Sequence, residues 1–160
     1  MNEQAVINSR YKVVACIGEG SQGRVYKVLD TLSGDQPLAL KICPPNASLV
    51  RPESEFFSLF ELDHPHLARV YDFQTVNRVE GRPDLAGAPF FTEEYVDGQS
   101  ADAAVAKRVG DSKTHLIAQI GVQVARALEE LHSKGILHLD VKPSNILVCA
   151  DNRVKLIDLG

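Results

Sequence analysis

The feature that most constrains this chain lies near residue 160. Two apolar runs, Ile146-Leu147-Val148 and Val154-Lys155-Leu156-Ile157, are separated by Ala150-Asp151-Asn152. Aliphatic and β-branched residues on either side of a polar Asp-Asn turn predict two short buried strands joined as a hairpin. A hairpin returns its two ends to the same place. The first end is preceded by His138-Leu139-Asp140-Val141-Lys142-Pro143-Ser144-Asn145, and the second is followed by Asp158-Leu159-Gly160. Two carboxylates, a lysine and a carboxamide are therefore gathered on one side of the predicted hairpin.

That set suits phosphoryl transfer. A carboxylate positions an attacking hydroxyl, a cation offsets developing phosphate charge, and an amide with a second carboxylate holds Mg²⁺. Composition allows such a site a core to stand on: 160 residues with 44% hydrophobic content are enough for one. A net charge of −4 and the lack of a Lys/Arg block give no reason to expect nucleic acid. No apolar run approaches the ~18 residues of a membrane span, and residues 1–10 lack a signal-peptide pattern. Cys16, Cys43 and Cys149 are odd in number, far apart and flanked by apolar residues. They read as buried free thiols of a reducing, cytoplasmic compartment rather than as metal ligands.

Upstream, residues 11–17 and 24–30 read as two strands around Gly18-Glu19-Gly20-Ser21-Gln22-Gly23. Glycines there let backbone N–H groups approach a phosphate. A G-x-G-x-x-G run is also the fingerprint of a dinucleotide-binding turn, but that turn leads into a helix. Here Val25, Lys27 and Leu29 alternate with Tyr26 and Val28, so a strand follows. Residues 38–42 form an apolar strand holding one lysine, Lys41, which is uncommon in a buried strand unless paired. Residues 51–62 read as a helix with Phe56, Leu59 and Phe60 on one face and Glu53, Glu55 and Glu61 as its acids. His64-Pro65-His66 reads as a turn rather than a metal pair. Strands are expected over 67–73 and 90–96, with a loop over 77–89 and a hinge at Asp97-Gly98. A short helix over 101–109 is stopped by Gly110. A longer one follows, N-capped by Asp111 or Ser112 and striped by Leu116, Ile117, Ile120, Val124, Ala127, Leu128 and Leu131.

These residues resemble the protein kinase catalytic domain of the eukaryotic-like (Hanks-type) family, from about Tyr11 to the last residue. The run H-L-D-V-K-P-S-N and then D-L-G stand where the family has H-R-D-L-x-x-x-N and D-F-G, and Leu38-Ala39-Leu40-Lys41 is similar to V-A-I-K. The resemblance implies an α+β, two-lobe fold. A tail over 1–10 would lead into a five-stranded antiparallel small lobe with one helix over 11–96. A partial large lobe would follow over 97–160. It implies ATP and Mg²⁺ as cofactors and Ser/Thr hydroxyls of proteins as substrates, since Lys142 two residues after Asp140 is the Ser/Thr pattern. Asp140 would accept the hydroxyl proton and Lys142 steady the γ-phosphate, while Asn145 and Asp158 would hold Mg²⁺. Lys41 would hold the α- and β-phosphates and pair with Glu55. The loop of Gly18, Glu19, Gly20, Ser21, Gln22 and Gly23 would cover the phosphates. Ile17, Val25, Ala39 and Leu147 would sandwich the adenine, and backbone groups from Glu94 to Val96 would meet its edge. The segment 64–73 resembles bacterial members.

The sequence departs from the family pattern at several points. Leu139 replaces an arginine that commonly clasps a phosphorylated loop, and Leu159 replaces a phenylalanine that stacks near Leu59, Val70 and His138, the histidine being a core residue. Glu93 places an acid at or beside the position guarding the inner pocket. The chain stops before the family's activation segment and A-P-E motif, so a truncated kinase with little activity of its own and exposed apolar faces on the 116–131 helix is expected. Two rival functions are a pseudokinase that binds nucleotide without chemistry and a small-molecule kinase of the aminoglycoside or choline type. The complete glycine loop and Lys142 favour the protein-kinase branch.

Overall fold

The computed structural model of the chain describes residues 5–20, 23–43, 59–79 and 85–158. They fall into two compact units, residues 1–62 with 69–95 and residues 63–68 with 96–160.

The first unit is built on an antiparallel sheet whose strands are β1 (Val6–Ile7), β2 (Tyr11–Gly20), β3 (Gly23–Asp30), β4 (Gln36–Ile42), β5 (Val70–Thr75) and β6 (Pro89–Glu94). Their spatial order is β1-β2-β3-β4-β6-β5. Period-two alternation puts Tyr11 and Val13 of β2, and Tyr26 and Val28 of β3, on the buried face. Phe90 packs edge-on against Tyr11 with ring centroids 5.7 Å apart. β4 lies between β3 and β6, and Leu38 through Ile42 are all buried. Lys41 is therefore a central-strand residue, 9% exposed, rather than a solvated edge lysine.

The sheet has one strand more than the five expected. Residues 6–7 lie inside the expected N-terminal tail, yet they pair with Tyr11 and Lys12, and Ile7 is fully buried. The connection turns through Asn8 and Ser9, both at positive φ (51° and 57°), which suits the right-handed twist of a tight hairpin. Asn8 then holds this hairpin to the end of β5. Its Nδ2 donates to Thr75 O (2.8 Å), and its Oδ1 accepts from Asn77 N (2.8 Å). A two-residue strand carries too little periodicity to be read from sequence. β5 likewise begins at Val70 instead of residue 67. Leu67 bridges Leu156 instead, and Ala68 N donates to Leu156 O (3.0 Å), so residues 63–68 belong with the second unit.

One ion-pair cluster ties the ends of three strands together. Arg10 donates from Nε and Nη2 to both oxygens of Asp30 (2.8 Å each) and from Nη1 to Asp72 (3.0 Å). Tyr11 Oη donates to the same Asp72 oxygen (2.9 Å). Asp30 also caps the helical turn Thr31–Ser33 through Leu32 N (3.1 Å) and Ser33 Oγ (2.9 Å). The Arg10 bond, followed by the Ser33 and Leu32 bonds, holds the buried Asp30 carboxyl at about 2, against 3.8 for the free group. A depressed folded-state value means the stabilisation is complete above about 4 and is lost as pH falls towards about 2. A shift of nearly two units corresponds to about 2 kcal/mol. Denaturant unfolding at about pH 5 and about pH 2 is expected to show that loss. Arg10→Met should be roughly 2 kcal/mol less stable at the higher pH and show a smaller change on acidification. An unchanged pH dependence in Arg10→Met would place the acid sensitivity elsewhere.

The second unit holds β7 (Gly98–Ser100), β8 (Ile146–Cys149) and β9 (Val154–Leu156) in that order, with helices α1 (Ala101–Ala106) and α2 (Gly110–Ser133). Gly98, part of the expected Asp97-Gly98 hinge, opens β7, whose residues 98–100 pair with Leu147–Cys149. No side chain caps α2. Val109 occupies the cap position, and Ser112 Oγ donates back to Val109 O (2.7 Å), so neither Asp111 nor Ser112 serves as predicted. Of the expected stripe, Leu116, Ile120, Val124, Ala127 and Leu131 are buried and Leu128 is half-buried, whereas Ile117 is exposed, as is Val122. Gln123 fixes α2 to the β8–β9 turn, donating to Asn152 O (3.1 Å) and accepting from Val154 N (3.0 Å). Of the cysteines, Cys43 is buried and Cys149 half-buried, while Cys16, past an irregularity in the β2–β3 register between Val13 and Ala15, is exposed. No described helix is long and apolar enough to cross a membrane.

Candidate active site

The β8–β9 hairpin gathers the residues at its open end. Asn145 O accepts from Ile157 N (2.9 Å), which joins the residue before β8 to the one preceding Asp158. His138 adds a second link. Its buried ring places Nε2 3.1 Å from Ile157 O, while Nδ1 lies 3.4 Å from Asp140 N. The partners fix the tautomer, with Nε2–H donating and Nδ1 accepting. Burial holds the imidazole below its usual range, and the nearby Asp140 and Asp158 only partly oppose that. His138 is thus a neutral strut between the segments carrying those two carboxylates.

Asp140 is set by a tight turn. Its N–H donates to His138 O (2.9 Å), closing a three-residue turn with Leu139 at the apex. Leu139 has φ +63° and is 79% exposed. A leucine in the left-handed region stores strain of about 1 kcal/mol or more. Asp158 also has positive φ (59°), a conformation aspartate adopts more readily. The sequence shows Leu139 only as a missing arginine; its backbone conformation carried no signal.

The Asp140 carboxylate is used on one side only. Lys142 Nζ (2.6 Å) and Asn145 Nδ2 (3.0 Å) both donate to Oδ2. Oδ1 has no partner among the described residues. The Lys142 bond first, and Asn145 after it, hold this carboxyl below the usual carboxylate range, so it is an anion at neutral pH. Asn145 is used on one side as well. Its Nδ2 donates to Asp140 O and Oδ2 (3.0 Å each), so its Oδ1 is left as an acceptor. The helical turn Pro143–Asn145 makes this possible, with Asn145 N donating to Lys142 O (2.9 Å). Proline opens that turn at no hydrogen-bonding cost.

A buried amide oxygen beside a segment ending in Asp158 fits Mg²⁺, which takes one or two protein oxygens and completes its shell with phosphate and water. No group of three or more His, Cys, Asp or Glu side chains suited to a metal occurs among the described residues. His64 and His66 instead form a turn: His66 N donates to His64 Nδ1 (3.2 Å), and the His66 ring meets Val154 O (3.1 Å).

The remaining predicted residues divide by unit. In the first, Gly18 and Val25 face each other across β2 and β3, and Val25 faces Lys41 across β3 and β4. Lys41 Nζ lies 5.9 Å from the Phe91 ring centroid. Ala39 is buried opposite Glu93, itself buried, whereas Ile17 is about half exposed. Glu19 pairs with Arg24 (2.8 Å) across the glycine turn, next to the Gly20–Gly23 pair. Glu94 N donates to Arg69 O (2.8 Å). In the second unit, Val96 is buried and Leu147 half-buried. Ser21, Gln22, Glu53, Glu55, Leu159 and Gly160 lie outside the described residues.

Comparison with known proteins decides the family. The sequence matches the Protein kinase domain over residues 11–160. The chain belongs to the protein kinase family. Among curated relatives it is 29% identical to the probable serine/threonine-protein kinase PknB of Lactococcus lactis, covering 97% of this chain and 24% of that protein. It is 32% identical to the serine/threonine-protein kinase PknL of Mycobacterium tuberculosis, covering 99% of this chain and 38% of that protein. The kinase chain described here thus spans well under half the length of either relative. Its sheet-rich first unit and its second unit of helices, catalytic-type loop and hairpin are those of the kinase fold.

Proposed function

We propose that this kinase chain transfers the γ-phosphoryl group of ATP to serine and threonine hydroxyls of protein substrates. The observation that carries the proposal is the one-sided use of Asp140, whose Oδ2 is held by Lys142 and Asn145 while Oδ1 has no partner among the described residues. Asp140 Oδ1 accepts the hydroxyl proton and orients its oxygen, and a carboxylate of lowered pKa suits orientation with late proton transfer. Lys142, half exposed beside it, offsets charge on the transferring group. Asn145 Oδ1 and Asp158 are the protein oxygens for Mg²⁺, which, when bound, neutralises the phosphate oxygens. Lys41 on the buried centre of the first sheet holds the α- and β-phosphates, and Glu55 is its proposed partner. The glycine turn from Gly18 to Gly23 supplies backbone donors to phosphate. Ile17, Val25, Ala39 and Leu147 contact the adenine, and the backbone from Glu94 to Val96 meets its edge. Relatives named as serine/threonine-protein kinases and Lys142 two residues after Asp140 support the choice of substrate hydroxyl.

Thermal unfolding with and without Mg·ATP tests the nucleotide half of this reading. Saturating ligand at about 100 times Kd is expected to stabilise by about 2.7 kcal/mol, or roughly 5–10 °C in a chain of this size. Lys41→Met and Asp158→Asn should each remove most of that rise while melting normally without nucleotide. A full rise in both variants would sink the assignment.

A further inference from the structure

The second unit contains a cavity of about 320 Å³ that none of the proposed kinase chemistry uses. Its apolar floor is Ala104 of α1, Leu116 of α2 and Val148 of β8, all buried. Its rim carries Lys107 and Arg108 from the α1–α2 connection and Asn152 from the β8–β9 turn. Among the described residues no carboxylate lines it, although the whole chain carries a net charge of −4. The neighbouring acids are engaged elsewhere or stand apart. Asp151 pairs with Arg153 (2.6 Å), Asp102 hydrogen-bonds Ser100, and Asp111 in the first turn of α2 is not a lining residue.

The two cations are held differently. Lys107 Nζ donates to Gln99 Oε1, which keeps the ammonium at the cavity wall. The Arg108 guanidinium has no hydrogen-bond or ion-pair partner among the described residues. An unengaged planar donor set beside an apolar hollow is built for a carboxylate attached to something apolar. The volume lies at the small end of ligand cavities and suits one or two side chains rather than a nucleotide. Gln99 belongs to β7, which is the edge strand of its sheet, so backbone groups stand beside the cations. A peptide uses such an edge; a small ion does not.

We propose that this cavity docks a short acidic segment of a protein partner, with an aliphatic side chain on the Ala104–Leu116–Val148 floor and flanking carboxylates on Arg108 and Lys107. Asn145 lies three residues before Val148, in the helical turn that leads into β8, so the docked segment would sit about 10 Å from the Asp140–Asn145 cluster. That spacing suits a partner held while another part of it is presented for reaction. The inference concerns binding alone and stands whether or not phosphoryl transfer is confirmed.

Fluorescence anisotropy tests it on the whole chain without nucleotide, using a labelled peptide of alternating leucine and glutamate and its leucine–lysine counterpart. Saturable binding of the acidic peptide only is expected. The double variant Lys107→Glu/Arg108→Glu should weaken it roughly tenfold or more, and Ala150→Trp, on the exposed rim, should block the hollow. Lys134→Glu, at the far end of α2, controls for net charge and should bind as the parent does. Thermal melting of each variant establishes that it is folded. The proposal is overturned by equal binding of both peptides, by no saturable binding, or by equal affinity in the parent and the double variant. Displacement by acetate or inorganic phosphate as effective as by unlabelled peptide would make this a small-ion site and overturn it too.

Discussion

Asp140→Asn is expected to lower phosphoryl transfer by the protein carrying this sequence about 10²- to 10⁴-fold, while Mg·ATP still raises its melting temperature. Asparagine has the shape of aspartate, and its Oδ1 can accept from Lys142 and Asn145 where the carboxylate oxygen did, so the fold has no reason to change. What disappears is the anion. In the parent, Oδ2 is committed to Lys142 (2.6 Å) and Asn145 (3.0 Å), and only Oδ1 remains to orient a hydroxyl and take its proton. An amide cannot accept that proton. Because Asp140 is held below the ordinary carboxylate range by Lys142, activity is not expected to fall from protonation of this group until the pH is well below neutral. Kinetics with a serine-containing peptide, run beside the thermal-shift assay, separates loss of chemistry from loss of nucleotide. Parent-like turnover in Asp140→Asn would remove this residue from the mechanism. Nucleotide binding with no transfer in the parent itself would favour the pseudokinase reading.

Gly23→Ala should cost about 3 kcal/mol or more, lowering the melting temperature by about 10 °C. A Cβ at this position would lie 2.1 Å from Ile42 O and 3.2 Å from Cys43 Cα, both backbone atoms that cannot rotate away. The residue also has φ +124°, which L side chains rarely adopt. Relief requires the end of β4 to move, and β4 carries Lys41 one residue before Ile42. The variant is therefore expected to lose stabilisation by Mg·ATP as well as stability. Gly20→Ala provides the contrast. Among the described residues nothing lies within 4 Å of its Cβ position, and its φ is not positive, so its stability should stay within about 0.5 kcal/mol of the parent. Equal effects of the two substitutions would show that the glycine turn matters for general flexibility rather than for this one close approach.

Most of the segment expected as a helix over 51–62, Glu55 included, lies outside the described residues. Its proposed pairing with Lys41 rests on the family's spacing. Elsewhere the chain's pattern was legible. The alternation of Tyr11 and Val13, and of Tyr26 and Val28, gives strands because a half-buried sheet has a period of two. The 116–131 stripe gives α2 because one face of that helix meets β9 and its neighbours. The polar cluster at 138–145 and Asp158 was legible too, since a hairpin must bring its ends together.

What the amino-acid order determined by itself is the set of local elements and the chemical types gathered at the hairpin's open end, because periodicity, turn residues and residue spacing are local properties. Tertiary structure alone decided which atoms are left for chemistry. Oδ1 of Asp140 is open because Lys142 and Asn145 converge on its other oxygen, and Leu139 takes a positive φ at the apex of the turn closed between Asp140 N and His138 O. The β1 hairpin, the Arg10 cluster and the move of residues 63–68 to the second unit depend on partners 20 to 88 residues away in sequence. Such contacts are selected by packing and polar pairing in three dimensions, and no local pattern records them.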